Sequence, residues 1–269
     1  AGGTLVPGFF TLQGAATVGT LRFTFLRDVG QATVDGAYTT HLRAVDRAGN
    51  ETTLDGTPFT VDRTPPNVLN MVVTPGHKRL RAGVVFSVAF DVTETPAADP
   101  AVVVSPAVGG AGRAMACMRV AGSPPDLADH YVCTLTPEVL DVEGPQTVTA
   151  FVEDAAGNTG YGSVDVEYDF TSPALVAADI TPAAAKFGDT VSVALTPSEA
   201  LEGAFIPELT VGGPAPIAFS YQTGTAYVFK RVMDGTEPDG SYGLSVRLRD
   251  VAGNEALVAP ATPTVRIDS

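Results

Sequence analysis

The same five-residue phrase occurs three times along the chain, as Asp46-Arg-Ala-Gly-Asn50, Asp154-Ala-Ala-Gly-Asn158 and Asp250-Val-Ala-Gly-Asn254. Recurrence at intervals near a hundred residues marks a repeated module, not one large fold. Sliding the chain by the 204 positions between Asp46 and Asp250 sets Phe25 on Phe229, Arg27 on Arg231, Asp35-Gly36 on Asp239-Gly240, Tyr38 on Tyr242 and Arg43 on Arg247, without a gap. A slide of 96, from Asp154 to Asp250, sets Tyr131 on Tyr227 and Gly144 on Gly240. A second shared block opens the later copies. Thr64-Pro65-Pro66 parallels Thr171-Ser172-Pro173, and Gly83-Val-Val-Phe-Ser-Val-Ala-Phe90 parallels Gly188-Asp-Thr-Val-Ser-Val-Ala-Leu195, each followed by a glutamate, Glu94 and Glu199. Boundaries near 64 and 171 follow, giving units 1–63, 64–170 and 171–269. By the 204 offset the first unit begins at the counterpart of Phe205. It is therefore expected to be a partial domain lacking its opening strands, completed by sequence outside this chain or by another chain.

Within each unit the apolar spacing is that of strands. Tyr242, Leu244, Val246 and Leu248 alternate with Gly243, Ser245, Arg247 and Arg249, a period of two that gives one apolar and one polar face. Val148, Ala150 and Val152 in the second unit, and Tyr38, Leu42 and Ala44 in the first, predict the same inward face. Phe86, Val88 and Phe90, with Val191, Val193 and Leu195, supply earlier strands. Short strands separated by Gly, Pro and Asp, about seven per hundred residues, predict β-sandwiches.

Two local motifs sharpen this. Asp35-Gly36-Ala37-Tyr38 and Asp239-Gly240-Ser241-Tyr242 each place a tyrosine just inside a strand after a glycine turn. That is the pattern of a tyrosine corner, in which the phenol, here of Tyr38 and Tyr242, bonds back to upstream backbone. The second unit reads Glu143-Gly144-Pro145-Gln146, so its phenol is absent and the stabilisation is expected from elsewhere. The repeated phrase closes the same strand as a tight hairpin. Asp46 and its counterparts accept backbone N–H bonds two residues on, while Gly49, Gly157 and Gly253 supply positive φ and Asn50, Asn158 and Asn254 tolerate it.

With its Asp-x-Ala-Gly-Asn turns, Pro-led openings and the Ser198-Glu199-Ala200-Leu201 stretch, the chain resembles tandem bacterial immunoglobulin-like (Big-type) domains of secreted and cell-surface proteins. The resemblance implies an all-β fold of tandem immunoglobulin-like β-sandwiches arranged as an elongated rod. It makes 1–63 a partial domain and 64–170 and 171–269 full ones, and it implies spacer or adhesin-stalk roles.

Composition removes other classes. Lys plus Arg number 16 against 30 Asp plus Glu, a net charge of −14 that suits neither nucleic acid nor an anionic membrane surface. No apolar run approaches the roughly 20 residues of a membrane-spanning helix, so no membrane insertion is expected. The opening Ala1-Gly2-Gly3-Thr4 has neither initiator Met nor signal-peptide pattern and reads as an excerpt of a longer chain. The three histidines, His41, His77 and His130, are scattered, and none sits at metal-ligand spacing from a second His or a Cys. No nucleophile, zinc-helix or phosphate-loop motif occurs. Paired carboxylates are common in so acidic a chain, but glycosidase chemistry needs a deep cleft that small sandwiches rarely provide. No catalytic residue is assigned and no cofactor is required. With no Trp among its aromatics the chain lacks the usual glycan-stacking platforms. Tyr161, Tyr168 and Tyr221 are the candidates for exposed contacts, with strand packing as the alternative.

Cys117 and Cys133 both lie in the second unit, Cys133 aligning with Phe25 and Phe229 at an inward position. A disulfide between neighbouring elements implies an oxidising compartment; the alternative is a pair of buried free thiols. In a sandwich of this topology the loops carrying Glu94 and Asp154, or Glu199 and Asp250, lie at the end where the chain enters. Asp62, Glu94 and Asp154 are then expected to meet at one junction, and Asp169, Glu199 and Asp250 at the next. Such oxygen clusters suit Ca²⁺, with turn capping and solvation as the alternative. Arg63 would partly neutralise the first set, whereas its counterpart at the second is Phe170.

The expected function is a non-catalytic structural stalk or adhesin-type spacer, extracellular or at the bacterial cell surface. Its partners are neighbouring repeats or surface-fibre subunits. The alternatives are a polysaccharide- or protein-binding module, marked by an exposed apolar patch on one domain only, and accessory domains of a large secreted hydrolase.

Overall fold

The computed structural model describes residues 11–13, 24–26, 29–30, 32–106, 110, 112–120, 129–203, 207–211, 218–223, 225–258 and 264–268. All regular structure among them is strand, as the alternation predicts, and no helix is long and apolar enough to cross a membrane. The chain divides into two compact units, Ala1–Pro65 with Glu153–Thr159, and Pro66–Val152 with Gly160–Ser269.

The first unit holds β1 (Thr11–Gln13), β2 (Thr24–Leu26), β3 (Gly36–Tyr38), β4 (His41–Val45), β5 (Glu51–Asp55) and β6 (Phe59–Val61). They pair antiparallel as β1 with β2, β3 with β6 and β4 with β5. Tyr38 stacks on Phe59 at 5.6 Å across the β3–β6 pair. The inward face predicted for β4 is not buried: Leu42 and every other residue of β4 and β5 are exposed. The counterparts of Leu42 and Ala44, Val246 and Leu248, share a core with Val191, Val193 and Leu195. Among the described residues of the first unit, the alternation in β4 meets no opposing apolar layer.

The second unit continues with β7 (Val68–Thr74), β8 (Arg79–Leu80), β9 (Phe86–Val92), β10 (Ala101–Ser105), β11 (Arg113–Ala114), β12 (Ala116–Val120), β13 (Asp129–Leu135), β14 (Gly144–Glu153) and β15 (Thr159–Tyr168). They form two facing sheets, β11-β10-β14-β15-β8 and β12-β13-β9-β7. Inward residues alternate along each strand, Phe86, Val88 and Phe90 from β9 against Val148, Ala150 and Val152 from β14. Burying each large apolar side chain contributes about 1.5–3 kcal/mol. Tyr131 stacks on its cross-strand partner Phe90 at 5.8 Å. Tyr168, a sequence candidate for an exposed contact, belongs instead to this core. It is 3% exposed, packs edge-on against Phe86, and burial pushes its phenol up to about 12. The parallel pairing of β15 with β8 sets it opposite the buried Leu80, and Phe170 packs on its ring at 5.6 Å. Tyr161 is exposed, and the Tyr221 side chain lies outside the described set.

A second sandwich follows from β16 (Leu175–Thr181), β17 (Ala184–Ala185), β18 (Thr190–Pro197), β19 (Glu208–Val211), β20 (Ala218–Thr223), β21 (Ala226–Val232), β22 (Gly240–Tyr242), β23 (Leu244–Arg249), β24 (Glu255–Val258) and β25 (Val265–Ile267). Its sheets are β16-β18-β21-β20, β17-β25-β22 and β19-β23-β24. Val191, Val193 and Leu195 of β18 meet Val246 and Leu248 of β23 in one core with Phe229. As a result, the turn after β23 and the loop after β18 lie side by side, bridged at Leu201 and Asp250.

Candidate functional site

Each repeated phrase folds the same way. The backbone closes with Asp46 N donating to Asn50 O at 2.9 Å, and with 3.0 and 3.1 Å at the equivalent pairs Asp154–Asn158 and Asp250–Asn254. Gly49, Gly157 and Gly253 sit at φ of +87°, +88° and +89°, where a Cβ would be strained. Asp46 Oδ1 accepts Ala48 N and Asn50 N, both at 2.8 Å, and its Oδ2 accepts Asn50 Nδ2 at 2.7 Å. Asp154 repeats all three bonds. Asp250 accepts Asn254 N at 2.9 Å and Asn254 Nδ2 at 2.8 Å. The Asn50 side-chain amide and the turn N–H groups hold the Asp46 carboxyl below its usual range. Burial opposes the charge on Asp154, but the Asn158 side chain and the same N–H groups outweigh it, so its pKa is also lowered.

The corners agree across all three copies. Tyr38 Oη donates to Val34 O at 2.6 Å and Tyr242 Oη to Pro238 O at 2.5 Å, each four residues back. Gln146, at the position without a phenol, donates its Nε2 to Val142 O at 2.6 Å over the same four residues. The corner bond missing from the sequence pattern is thus made by the residue that replaced the tyrosine, and not from elsewhere. A carboxamide N–H can donate where a phenol O–H does in the other copies, but it leaves a buried Oε1 with no partner. Cys117 and Cys133 face each other in register on β12 and β13 and form a disulfide.

Among the described residues the acidic clusters differ. Asp62 and Asp154 belong to the first unit and Glu94 to the second. Within the second unit Asp169, Glu199 and Asp250 each bring a carboxylate oxygen within 4.8 Å of the others. Oxygens about 2.4 Å from one Ca²⁺ lie no farther apart than this. Burial, then the charge of Asp250, pushes the Asp169 carboxyl up. Burial, then Asp169 and Asp250, does the same to Glu199. The cluster has a counter-ion the sequence reading missed. Arg79 on β8 stands 3.8 Å from Asp169 Oδ2 and 3.2 Å from Glu167 Oε2. Its neighbour Arg81 donates to Gly253 O at 2.7 Å. Nothing in the local sequence marks these arginines, because the contact with Gly253 spans 172 positions.

The linker after β15 is held from both sides. Glu143 Oε1 accepts Phe170 N at 2.8 Å, Thr171 N at 3.0 Å and Thr171 Oγ1 at 2.9 Å, bonds that keep its carboxyl low. Asn254 Nδ2 donates to Asp169 O at 2.9 Å, with Thr171 O at 3.4 Å, and Ala174 exchanges two bonds with Ser198. A cleft of about 280 Å³ opens beside this joint, lined by Arg81, Val84 and Val85 on one side and Glu202, Arg249 and Val251 on the other. Two histidines pair with acids, exposed His41 at the surface and half-buried His130 on the buried Asp91. His41 meets Asp55 at 2.5 Å, and His130 meets Asp91 at 2.7 Å, with Asn70 on the other oxygen of Asp91.

Facing, mainly antiparallel sheets, a corner bond to the residue four positions back and a closed turn after the corner strand define an immunoglobulin-like β-sandwich protein. The model of the family described as "Bacterial Ig-like domain" matches residues 17–63, and over that stretch, which includes the Asp46–Asn50 turn, it agrees with the resemblance read from the turns. Among solved structures the chain is similar to the tetra-tandem repeat in the extending region of a large adhesion protein, at 19% identity and a TM-score of 0.32, over 85% of this chain and 56% of that one. It is also similar to the I-band fragment I67–I69 from titin, at 12% identity and a TM-score of 0.44, over 77% of this chain and 66% of that one. No curated protein sequence matches the chain.

Proposed function

We propose that this chain is a non-catalytic stalk or adhesin-type spacer of a secreted or surface bacterial protein. The observation that supports the reading is the identity of the three turns. The acids that recur in every copy, Asp46, Asp154 and Asp250, accept hydrogen bonds from their own turns, so what is repeated is an architecture. The Cys117–Cys133 disulfide favours an oxidising, extracytoplasmic setting. Stretching the full chain between its ends tests the role. A spacer gives successive force peaks, and reduction lengthens the extension released by one of them by on the order of 55 Å, the reach of the 16 positions spanned by the bridge. Extension without force peaks would overturn the reading.

One observation favours the protein-binding alternative. Val72, Ala89, Val132 and Met118 are in register across the outer face of β7, β9, β13 and β12, and Val72 and Met118 are exposed. Met118→Lys would abolish binding through this row and leave the force peaks unchanged.

A further inference from the structure

We propose that Asn254, the last residue of the repeated phrase, fixes the joint between the two sandwiches of the second unit. The inference is independent of what the chain does as a whole. A carboxamide nitrogen carries two hydrogens. One closes the turn on Asp250 Oδ2, as Asn50 does on Asp46 and Asn158 on Asp154. The other reaches the linker of the preceding sandwich, at Asp169 O with Thr171 O beside it. Asn254 is 9% exposed, so water is not at hand to take that second hydrogen. Asn158, within the first unit, also has a second partner, its Nδ2 lying 3.1 Å from Asp62 O. Asn50 is exposed and its described bond is the one to Asp46.

The surroundings turn this contact into a clamp. Glu143, from the preceding sandwich, holds Phe170 and Thr171 from one side, and Asn254 and Ser198, from the following one, hold Asp169, Thr171 and Ala174 from the other. Asp169 N is bonded to Leu80 O, and Pro173 has no N–H to satisfy. Arg81 ties the same turn directly to the preceding sandwich through Gly253 O. With its polar groups engaged on both sides, the linker has few backbone rotations left by which the sandwiches can reorient. Aspartate at 254 would keep the size but not the donor, and would set a second carboxylate against Asp250.

Residual dipolar couplings of the ¹⁵N-labelled full chain test the proposal. In the wild type the amides of the strands between 68 and 168 and those between 175 and 267 fit one common alignment tensor. Asn254→Ala splits them into two tensors, while Asn50→Ala, which removes the same turn bond without the linker contact, leaves one. A single tensor in Asn254→Ala would overturn the proposal. The wild type supplies a readout if that variant does not fold: an Asn254 side-chain amide proton exchanges with solvent at least about tenfold more slowly than those of Asn50. Equal exchange at the two positions would also overturn it.

Discussion

Replacing both Cys117 and Cys133 by valine isolates the contribution of the cross-link. The disulfide joins β12, an edge strand hydrogen-bonded to β13, to the interior of its sheet. Cys133 is fully buried and Cys117 packs against the same core. Valine is apolar, close to cysteine in size and suited to strands, so packing changes stay within about 1 kcal/mol. The main loss is then in the unfolded state. Opening a loop of 16 positions restores chain entropy worth about 3 kcal/mol at 25 °C. Equilibrium urea unfolding, followed by circular dichroism and by tyrosine emission because the chain has no Trp, reads this out. The transition of the sandwich built on β7–β15 moves down by about 1–3 M urea, and its slope rises as the unfolded chain expands. The transition of the β16–β25 sandwich stays in place. Wild type treated with reductant should match the variant. A double valine variant within about 0.5 kcal/mol of the oxidised wild type, with an unchanged slope, would refute the loop-entropy reasoning.

Tyr242→Phe removes the bond to Pro238 and costs about 1 kcal/mol in the same assay. Gln146→Leu loses the bond to Val142 but also removes the unpartnered Oε1, so its cost is the smaller of the two, about 0–1 kcal/mol. In a carbon-detected pH titration Glu199, half-buried near Asp169 and Asp250, titrates above the ordinary glutamate value of 4.5, whereas Glu255, bonded to Arg247, titrates below it. Asp169 and Glu199 are raised in the fold, so the native state binds more protons than the unfolded chain between the ordinary and the raised values. Their contribution falls as pH rises through that window and is regained on acidification, while that of Glu143, which is lowered, is lost as pH falls. If the Asp169, Glu199 and Asp250 carboxylates take Ca²⁺, calcium added to the chelated chain raises the melting temperature of the β16–β25 sandwich by mass action, and Glu199→Gln, which leaves the turn intact, abolishes the binding heat. Under the same hypothesis Arg79→Ala, by removing a competing cation 3.8 Å from Asp169, tightens that binding. No calorimetric heat at millimolar Ca²⁺ in either protein would leave these acids as turn caps and surface charge.

What the sequence revealed was local. A period of two and a phrase of five residues need only near neighbours to act, so the strands, the hairpin turns and the tyrosine corners could be read from spacing alone. Three features depended on distant parts of the chain. Leu42 and Ala44 have the alternation of an inward face, but burial needs an opposing layer, which spacing within one strand does not report. Tyr168 is buried in a core that includes Phe86 and Leu80, some 82 and 88 positions earlier, contacts with no local signature. Arg79 and Arg81 reach the acids and the turn at the joint only after two sandwiches have formed. Gln146 fails for a different reason. The sequence pattern specified a phenol, whereas the geometry requires any donor that reaches the carbonyl four residues back.

The second hydrogen of Asn254 explains how so short a phrase can do two jobs. A turn closed by Asp250 leaves one amide hydrogen of the asparagine unused. At an exposed position such as Asn50 water takes it at little cost. At a buried one an unpaired N–H costs about 1–3 kcal/mol, and a preceding linker that presents a carbonyl at the right place relieves this. The same residues therefore close a hairpin in all three copies, and at Asn254 the buried second hydrogen also orders the joint with the preceding sandwich.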